Sequence, residues 1–366
     1  MKTKIKNKRV VVAMSGGVDS SVAAALLKQQ GYEVIGLTMC FNINTESRPR
    51  PSCCGIEGIE DARRVAAKLR IPHYVLNFGR ILEEKIIREF CREYLCGRTP
   101  NPCIRCNQYI KFAALLKKAR QLDAGFLATG HYARIAFDKQ SRRYLLKKGK
   151  DKQKEQSYFL YSTNKKALPH ILFPLGRLTK SRVRRLAKEL ALPVAEKPGS
   201  QEICFIPQDY RQFLEARLKA EEHLTMRPGP ILDKERKVLG QHRGIAFYTI
   251  GQREGLGVAL GYPAYIIAID AKKNALIVGK EADVFSRGII AKEVKWLNGR
   301  RPAKVVEARV KIRYNHQETP ARIIPLKAGR LKIIFRKPQR AVTPGQSAVF
   351  YRGETVLGGA VIYKAI

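Results

Sequence analysis

Eight residues near the amino terminus have the composition of a phosphate-binding turn: Ala13, Met14, Ser15, Gly16, Gly17, Val18, Asp19 and Ser20. Gly16 and Gly17 have no Cβ atom, so the backbone can turn sharply and bring successive N–H groups close to phosphate oxygens. Ser15 and Ser20 add hydroxyl donors, and Asp19 is the type of ligand that holds a Mg²⁺ ion between phosphates. The composition therefore predicts a nucleotide-binding loop; the competing interpretation is a small-residue turn that binds no ligand.

The residues on either side of this turn predict a strand and a helix. An apolar run over 10–13 precedes the turn, and a second apolar run over 22–27 indicates a helix that ends near Gly31. A turn at a helix N-terminus also gains the positive end of the helix dipole. The turn lacks the Lys-Ser/Thr pair of a Walker-type loop. Its Ser-Gly-Gly-x-Asp-Ser pattern resembles instead the loop of enzymes that split ATP into AMP and pyrophosphate.

Among the eight cysteines, the most specific pattern is Cys103-x-x-Cys106. Prolines at positions 100 and 102 predict a constrained loop that presents two thiols one turn apart, beside Arg105, whose charge favours thiolate. Zinc needs four ligands, and the sequence has no second Cys-x-x-Cys. The pair therefore indicates redox or sulfur chemistry, or an iron–sulfur cluster with Cys204 as third ligand. The other cysteines are assigned no chemical role. We expect Cys40, Cys91 and Cys96 to be small buried hydrophobic residues, and Cys53 and Cys54 to be an adjacent pair on a loop.

Strands and helices alternate along the first half of the chain. Strand-like runs cover 32–39, 73–78 and 125–132, with helical spacing at 59–69, 80–95 and 112–122. This alternation predicts an α/β domain with a doubly wound parallel sheet. Ligands bind at the carboxyl ends of the strands in such sheets, where the phosphate loop and Met39 are expected to lie.

The second half of the chain has a different character. Residues 199–206 predict one more strand, carrying Cys204, and short β-rich runs separated by Gly, Pro and Asn turns follow from about residue 229. We therefore expect a catalytic domain followed by two small β-rich domains, with boundaries at 1–207, 208–281 and 282–366.

Charge and composition limit the classes of partner. The 366 residues carry a net charge of +39, which favours a polyanionic partner, with nucleic acid first and an anionic membrane surface second, unless the host proteome is basic throughout. A basic helix at 180–188 and a basic hairpin at 134–154 contribute to this charge. No apolar stretch reaches the length of a membrane span and the amino terminus lacks a cleavage site, so a cytoplasmic protein without a membrane partner is expected.

Several motifs, in one order over essentially the whole chain, resemble the family of tRNA-specific 2-thiouridylases. Besides the phosphate loop, these motifs are residues 97–107, which include Cys106 and Asn107, together with 110–112, then 128–132, 156–160, 200–206, 240–244, 248–253 and 343–346. The resemblance implies an ATP-pyrophosphatase domain followed by β-rich domains. It also implies a sulfurtransferase that replaces O2 of the wobble uridine in tRNAs for Lys, Glu and Gln with sulfur.

The resemblance implies roles for individual residues. Met39 and Gly130 match nucleotide-contacting positions, which join residues 13–20 as the ATP site. Cys106 matches the nucleophile and Cys204 the carrier of a persulfide loaded from a cysteine desulfurase or sulfur-relay protein, with a transient Cys106–Cys204 disulfide. The positions that match tRNA contacts are Asn101, Pro102, Cys103, His131, Lys154, Glu155, Gln156, Arg313, Tyr314 and Gln346. ATP and Mg²⁺ are the implied cofactors, and tRNA is the implied partner.

Two positions depart from the family pattern. Cys103 stands where aspartate is common, so the role of that carboxylate near Cys106 does not transfer, and a cluster held by Cys103, Cys106 and Cys204 stays open. Glu202 also replaces a common aspartate, which is a milder change. Two other functions compete with this interpretation: a different adenylating tRNA-modifying enzyme with the same loop, and a non-catalytic RNA-binding protein supported by charge alone.

Overall fold

A computed structural model describes residues 8–41, 55–199, 203–206, 209–220, 226–258, 260–297, 299 and 301–366. The chain divides into two compact units. Unit 1 comprises Met1–Ile86, Cys103–Pro207 and Gly353–Val356, and unit 2 comprises Ile87–Pro102, Gln208–Arg352 and Leu357–Ile366.

Unit 1 contains a parallel five-stranded sheet. Its strands are β1 (Arg9–Ala13), β2 (Glu33–Cys40), β3 (His73–Asn77), β4 (Phe126–Ala128) and β7 (Ile171–Leu172). They lie in the order β3-β2-β1-β4-β7, so the direction of winding changes between β1 and β4. A crevice opens at the carboxyl ends of the strands where such a sheet reverses, which makes this edge the expected ligand site.

The described helices are divided between the two units. Those of unit 1 are α1 (Val18–Gln29), α2 (Ile56–Leu69), α3 (Gly79–Leu82), α5 (Pro102–Arg105, whose first residue is assigned to unit 2), α6 (Leu116–Gln121) and α7 (Lys180–Glu189), and those of unit 2 are α4 (Arg88–Leu95) and α8 (Tyr210–Ala220). A π-helical segment, Cys106–Leu115, joins α5 to α6. The prediction of a loop around Cys103 and Cys106 is therefore wrong, because both residues lie in a continuous helical stretch. Pro102 begins this stretch, because the first position of a helix needs no N–H donor and accepts the fixed φ of proline.

A hairpin lies between β4 and β7 in the chain. Its strands are β5 (Ala133–Asp138) and β6 (Arg143–Lys148), which pair in antiparallel register from Ala133 with Lys148 to Asp138 with Arg143. The hairpin predicted for the basic stretch is confirmed.

Unit 2 is rich in β-structure. The strands β8 (Gly229–Leu232), β9 (Val238–His242), β10 (Tyr265–Asp270) and β11 (Ala275–Gly279) form one sheet in the order β10-β11-β8-β9. The strands β12 (Phe285–Trp296), β13 (Val306–Lys311), β14 (Thr319–Pro325), β15 (Leu331–Arg340), β16 (Ser347–Arg352) and β17 (Thr355–Ala365) form a barrel. Pairing of β12 with β17 closes the barrel around an apolar core that includes Ile289, Ile323 and Phe350.

The predicted fold class is confirmed, with a parallel α/β sheet followed by β-rich structure. Two local expectations are wrong. Cys204 and Phe205 lie in a turn closed by a hydrogen bond from the Ile206 N–H to the Ile203 carbonyl at 3.0 Å, and the described part of 199–206 contains no strand. Cys96 is exposed and not buried. Among the described residues, every helix is too short or too polar to cross a membrane.

Candidate active site

The phosphate loop connects β1 to α1 at the carboxyl edge of the sheet. Gly16 has a φ of +70°, and a Cβ there would lie 2.2 Å from the carbonyl oxygen of Gly58, so the position requires glycine. Ser20 Oγ accepts a hydrogen bond from the Ser15 N–H at 3.1 Å, which closes the loop on itself. A Cβ at Gly17 would meet only Ser15 Oγ, at 3.5 Å, among the described atoms. The backbone at Gly17 is therefore open to a ligand, as a phosphate cradle requires.

Asp19 of the loop is held by two side chains from distant parts of unit 1. Lys180 Nζ lies 2.6 Å from Oδ1 and 2.7 Å from Oδ2 of Asp19, and the Tyr132 hydroxyl donates to Oδ1 at 2.7 Å. Burial and the nearby Asp19 charge raise the pKa of Tyr132, which keeps its hydroxyl protonated as a donor. The Lys180 N–H donates to Asp151 Oδ2 at 2.7 Å, which fixes the first turn of α7. The structure thus places a cation at the phosphate loop.

The end of β4 packs directly on this loop. A Cβ at Gly130 would lie 2.8 Å from the Asp19 carbonyl carbon and 2.9 Å from the Ser20 nitrogen, so only glycine permits the approach. His131 Nδ1 lies 2.7 Å from Thr129 Oγ1. Burial, with a smaller contribution from Lys111, lowers the pKa of His131 well below its ordinary value. The imidazole is therefore neutral at pH 7.

Aromatic rings flank His131. Its ring centroid lies 6.0 Å from that of Phe112 and 5.9 Å from that of Phe173. Thus the predicted nucleotide residue Gly130 and the predicted tRNA residue His131 are neighbours on one turn. Met39 lies near the carboxyl end of β2, at the same edge of the sheet as expected.

Cys106 is buried and begins the π-helical segment, one turn after the half-buried Cys103. The next residue, Asn107, is buried, and its Nδ2 donates to the Phe159 carbonyl at 3.0 Å. This hydrogen bond joins the Cys-x-x-Cys stretch to the Gln-Ser-Tyr-Phe-Leu motif, two motifs that the sequence places about 50 residues apart. A π-helical insertion is frequent at functional sites, because it displaces side chains from ordinary helical positions.

The three predicted tRNA residues 154–156 have different surroundings. Lys154 is exposed, whereas Glu155 is 8% exposed and its Oε1 accepts from the Ser157 N–H at 2.5 Å. Gln156 Oε1 accepts from the Tyr132 N–H at 3.0 Å, and the Gln156 N–H donates to the Tyr132 carbonyl at 3.0 Å. The side chains of Glu155 and Gln156 therefore form hydrogen bonds within the protein. Gln156 holds the backbone of Tyr132, whose hydroxyl contacts Asp19.

Cys204 is half-buried in the turn of residues 203–206 and belongs to unit 1, as Cys106 does. Both are reduced cysteines in this structure. Among the described residues, which include all three candidate cluster ligands, no three His, Cys, Asp or Glu side chains are gathered as a metal site. The arrangement of Cys103, Cys106 and Cys204 therefore does not fit an iron–sulfur cluster. Cys53, Cys54 and Glu202 lie outside the described residues.

Unit 2 contains the remaining predicted tRNA residues, Asn101, Pro102, Arg313, Tyr314 and Gln346. Gln346 Nε2 donates to the Thr99 carbonyl at 3.0 Å, just before Asn101 and Pro102. Arg313 Nη2 donates to the Ile250 carbonyl at 3.2 Å and to the Thr343 hydroxyl. Lys311 Nζ lies 5.2 Å from the ring centroid of Tyr314, a cation–π contact.

Sequence reasoning missed the contacts that Lys180, Tyr132 and Asn107 make. The sequence pattern indicates only a basic helix face for Lys180, and it places Tyr132 and Asn107 within motifs without indicating their contacts. An available signal was the Thr179 N-cap, whose Oγ1 accepts from the Arg182 N–H at 3.3 Å and so marks Lys180 as the first residue of α7.

Comparisons with family models match three parts of the chain. Residues 8–208 match the tRNA methyl transferase HUP domain, 218–280 the tRNA methyl transferase PRC-barrel domain, and 286–362 the aminomethyltransferase beta-barrel domain.

Curated relatives match over nearly the whole length. A tRNA-specific 2-thiouridylase MnmA 1 from Syntrophus aciditrophicus is 50% identical, covering 99% of this chain and 94% of the relative. The tRNA-specific 2-thiouridylase MnmA of Heliobacterium modesticaldum is 51% identical, covering 97% and 92%. That of Acetivibrio thermocellus is 48% identical, covering 98% and 100%. Solved structures match weakly: a 4-thiouridine synthetase–RNA complex with bound ATP is 16% identical with a TM-score of 0.34, covering 59% of this chain and 51% of that one, and supports no argument.

Proposed function

Since the chain belongs to the family of tRNA-specific 2-thiouridylases, we propose that it replaces O2 of the wobble uridine in tRNAs for Lys, Glu and Gln with sulfur, using ATP. One observation supports this proposal most directly: unit 1 contains both an open Ser-Gly-Gly-x-Asp-Ser loop and the two thiols of Cys106 and Cys204. The loop supplies the site for nucleotide activation, and the thiols supply sulfur transfer. The protein acts in the cytoplasm in this proposal.

The first step activates the uracil. A uracil carbonyl is a poor electrophile and its oxygen a poor leaving group, so O2 attacks the α-phosphorus of ATP and pyrophosphate leaves. Residues 13–20 bind the phosphates, with Gly130 beside the loop backbone and Met39 at the neighbouring strand end. Asp19 would hold Mg²⁺, which neutralises phosphate charge. Asp19 is bonded to Lys180 in this structure, so it must exchange partners to do so.

The second step transfers sulfur. A desulfurase or relay protein loads Cys204 with a persulfide, whose terminal sulfur attacks C2 of the adenylated uridine as AMP departs with O2. The Cys106 thiolate then attacks Sγ of Cys204, which releases the thiouridine sulfur and leaves a Cys106–Cys204 disulfide. In the alternative order, Cys106 first frees hydrosulfide, which attacks C2. Either order oxidises two thiols to one disulfide and requires both sulfurs to approach within bonding distance.

The contacts of the predicted tRNA residues divide them into two groups. Lys154 is exposed and available to phosphate, and the neutral His131 follows Gly130, which packs on the phosphate loop where the target base would be activated. Gln156, Arg313 and Gln346 donate or accept hydrogen bonds within the protein, and we assign them the positioning of RNA-contacting segments. The uridine must leave its stack to reach the loop, as single-stranded anticodon bases can.

Thiolation of purified tRNA tests the proposal. The chain is incubated with tRNA for Glu, ATP, Mg²⁺ and a cysteine desulfurase with cysteine, and thiolated tRNA is detected by its retardation on a mercury-containing gel. We expect an ATP-dependent band that Cys106→Ser and Cys204→Ser both abolish. Cys96→Ser is the matched control, because Cys96 is an exposed, reduced cysteine of unit 2, and it should retain wild-type activity.

Two other outcomes would redirect the assignment. ATP cleavage to AMP with tRNA but without a retarded band would indicate a different adenylating tRNA-modifying enzyme. tRNA binding without any ATP cleavage would indicate an RNA-binding protein. The same reactions distinguish a tRNA methyltransferase, which would modify tRNA without cleaving ATP to AMP and pyrophosphate.

A further inference from the structure

Two aromatic rings are exposed together at the end of the β5–β6 hairpin. Phe137 is 51% exposed and Tyr144 is 39% exposed. The two residues are directly paired across the strands, with ring centroids 5.1 Å apart and planes inclined at 57°. Large aromatic side chains gain free energy from burial, so an exposed pair is a candidate contact surface.

The hairpin itself explains why the rings are presented outward. Alternate residues of each strand lie on the same face of the hairpin. On the face that carries the two rings, Ala133 and Leu146 are 0% and 1% exposed, and exposure increases from them to the aromatic pair. The tip is held by Asp138 Oδ2, which accepts from the Ser141 N–H at 3.0 Å and from the Ser141 hydroxyl at 2.5 Å. The turn is therefore ordered by its own hydrogen bonds, and it presents the rings on a fixed platform.

The residues around the rings are strongly basic. Residues 133–154 contain nine Lys and Arg and two Asp. One acid, Asp138, bonds the turn, and the other, Asp151, accepts backbone N–H groups of Gln153 and Lys154 at 2.9 and 3.2 Å. An aromatic platform within a cationic surface is the arrangement that binds single-stranded nucleic acid, because bases stack on the rings while cations neutralise phosphates.

We propose that this aromatic hairpin, residues 137–144, stacks on an unpaired nucleotide of the tRNA substrate other than the wobble uridine. The inference rests on the proposed function for the identity of the RNA. Phe137 lies four residue steps along the extended strand from Ala133, a distance of about 13 Å. Ala133 follows Tyr132, which contacts the phosphate loop. The rings therefore lie too far along the hairpin to share the nucleotide whose base is activated at the loop.

Affinity for tRNA tests the proposal, measured with the whole chain by fluorescence anisotropy over a series of salt concentrations. The variant F137A/Y144A should bind tRNA about tenfold more weakly, since one base stack is lost. Its slope of log Kd against log salt should equal that of the wild type, because no charge changes. The variant K139Q/R142Q should instead reduce this slope, by about two at most. Thiolation at saturating tRNA should be unchanged in both.

Three further variants make the result specific. Tyr74→Ala is the matched control, because Tyr74 is 48% exposed on β3 of the same unit, and it should leave Kd unchanged. F137L/Y144L keeps an apolar tip without aromatic faces and should lose nearly as much affinity as the alanine variant. Y144F keeps the ring and should bind as the wild type does. Thermal unfolding of each variant reports whether the hairpin remains folded.

An unchanged Kd in F137A/Y144A, with the wild-type melting temperature, would overturn the proposal. So would full affinity of F137L/Y144L for tRNA together with aromatic-dependent binding to vesicles containing phosphatidylserine, which would assign the tip to a membrane surface. If the wild type binds tRNA without thiolating it, the proposed function fails. The ratio of the Kd of F137A/Y144A to that of the wild type still decides the role of the hairpin. A wild type that does not bind tRNA overturns both.

Discussion

Lys180 Nζ lies within 2.7 Å of both carboxylate oxygens of Asp19, although 161 residues separate the two in sequence. The side chains are 17% and 34% exposed, so the pair is partly shielded from water. We expect a cation that contacts the carboxylate of the phosphate loop to lie close to a phosphate bound by that loop as well. This relationship gives unit 1 a positive group at the place where ATP is expected to gain negative charge during pyrophosphate release.

Lys180→Met should therefore lower kcat/KM for ATP about 100-fold, as the loss of one preorganised charge at a reacting group commonly does. Lys180→Arg should retain more activity, because it keeps the charge with a different donor geometry. The measurement is tRNA-dependent pyrophosphate release over a range of ATP concentrations.

Lys188→Met is the control for this experiment. Lys188 lies on the same helix, pairs with Glu196 at 2.8 Å and is 60% exposed, so its removal should change kcat/KM less than twofold. A Lys180→Met enzyme with wild-type kcat/KM for ATP would show that Lys180 serves only to neutralise Asp19.

Gly17→Ala should weaken the binding of ATP at least tenfold while leaving the melting temperature nearly unchanged. The protein itself has room for the Cβ, which would lie 3.5 Å from Ser15 Oγ, at an ordinary φ of −99°. A bound phosphate, however, approaches the same backbone closely, so the methyl group would collide with the ligand and not with the protein. Isothermal titration with a non-hydrolysable ATP analogue gives the affinity, and calorimetric unfolding gives the stability.

Gly16→Ala is the contrasting variant. Its Cβ would lie 2.2 Å from the Gly58 carbonyl oxygen at a positive φ, so it should lower the melting temperature as well as ATP affinity. Equal ATP affinity of Gly17→Ala and the wild type would mean that phosphates do not approach the loop backbone at this position.

The sequence allowed the phosphate loop and the fold class to be predicted, because both depend on local features. The adjacent Gly16 and Gly17 favour a sharp turn, and the apolar run over 10–13 favours a buried strand. The Lys180–Asp19 pair could not be predicted in this way, since it depends on how α7 packs in the tertiary structure. In the sequence, nothing distinguishes Lys180 from the other basic residues of this helix.

The local errors have physical causes. The apolar residues Ile203, Phe205 and Ile206 are compatible with a strand, but in the structure Phe205 and Ile206 are buried from within a turn. Pro102 suggested a loop, yet proline is compatible with a helix when it stands at the first position. Both errors come from residues whose preferences fit two structures, so that only tertiary packing selects between them.

Gln346→Leu should weaken the attachment of the Thr99 segment to the turn at 343–346. Gln346 Nε2 donates to the Thr99 carbonyl at 3.0 Å, and the Thr99 N–H donates to the Pro344 carbonyl at 2.9 Å. We expect faster hydrogen exchange at the Thr99 amide and a KM for tRNA raised about tenfold, with kcat less affected. Gln346→Glu should be worse, because a carboxylate would face carbonyl oxygens without a donor.

Gln339→Leu provides the comparison, since its amide donates only to the nearby carbonyls of Lys337 and Pro338 among the described residues. It should leave both measurements at wild-type values. If Gln346→Leu raises KM without changing exchange at Thr99, the side chain contacts tRNA directly and does not act through this segment.

Stability should decrease as the pH falls below about 6.5, in part because of His131. Burial and Lys111 lower the pKa of His131 in the folded state well below its ordinary value. In that range the unfolded chain binds a proton that the folded chain does not, so protonation favours unfolding, and the stabilising difference is fully present only above the unfolded pKa. His73 has the same sign, with its pKa lowered by burial and by Arg63.

The free energy of unfolding from urea titrations at pH 7.5 and pH 5.5 measures this effect. His131→Gln should unfold more easily than the wild type at pH 7.5, yet lose less stability between the two pH values, by up to about 1.4 kcal/mol per pH unit for one proton. His73→Gln, tested in parallel, reports the contribution of an imidazole outside the loop region. An equal loss in His131→Gln and the wild type would mean that His131 takes up its proton in the folded state as readily as in the unfolded chain, and that the neutral imidazole assigned to the site is wrong.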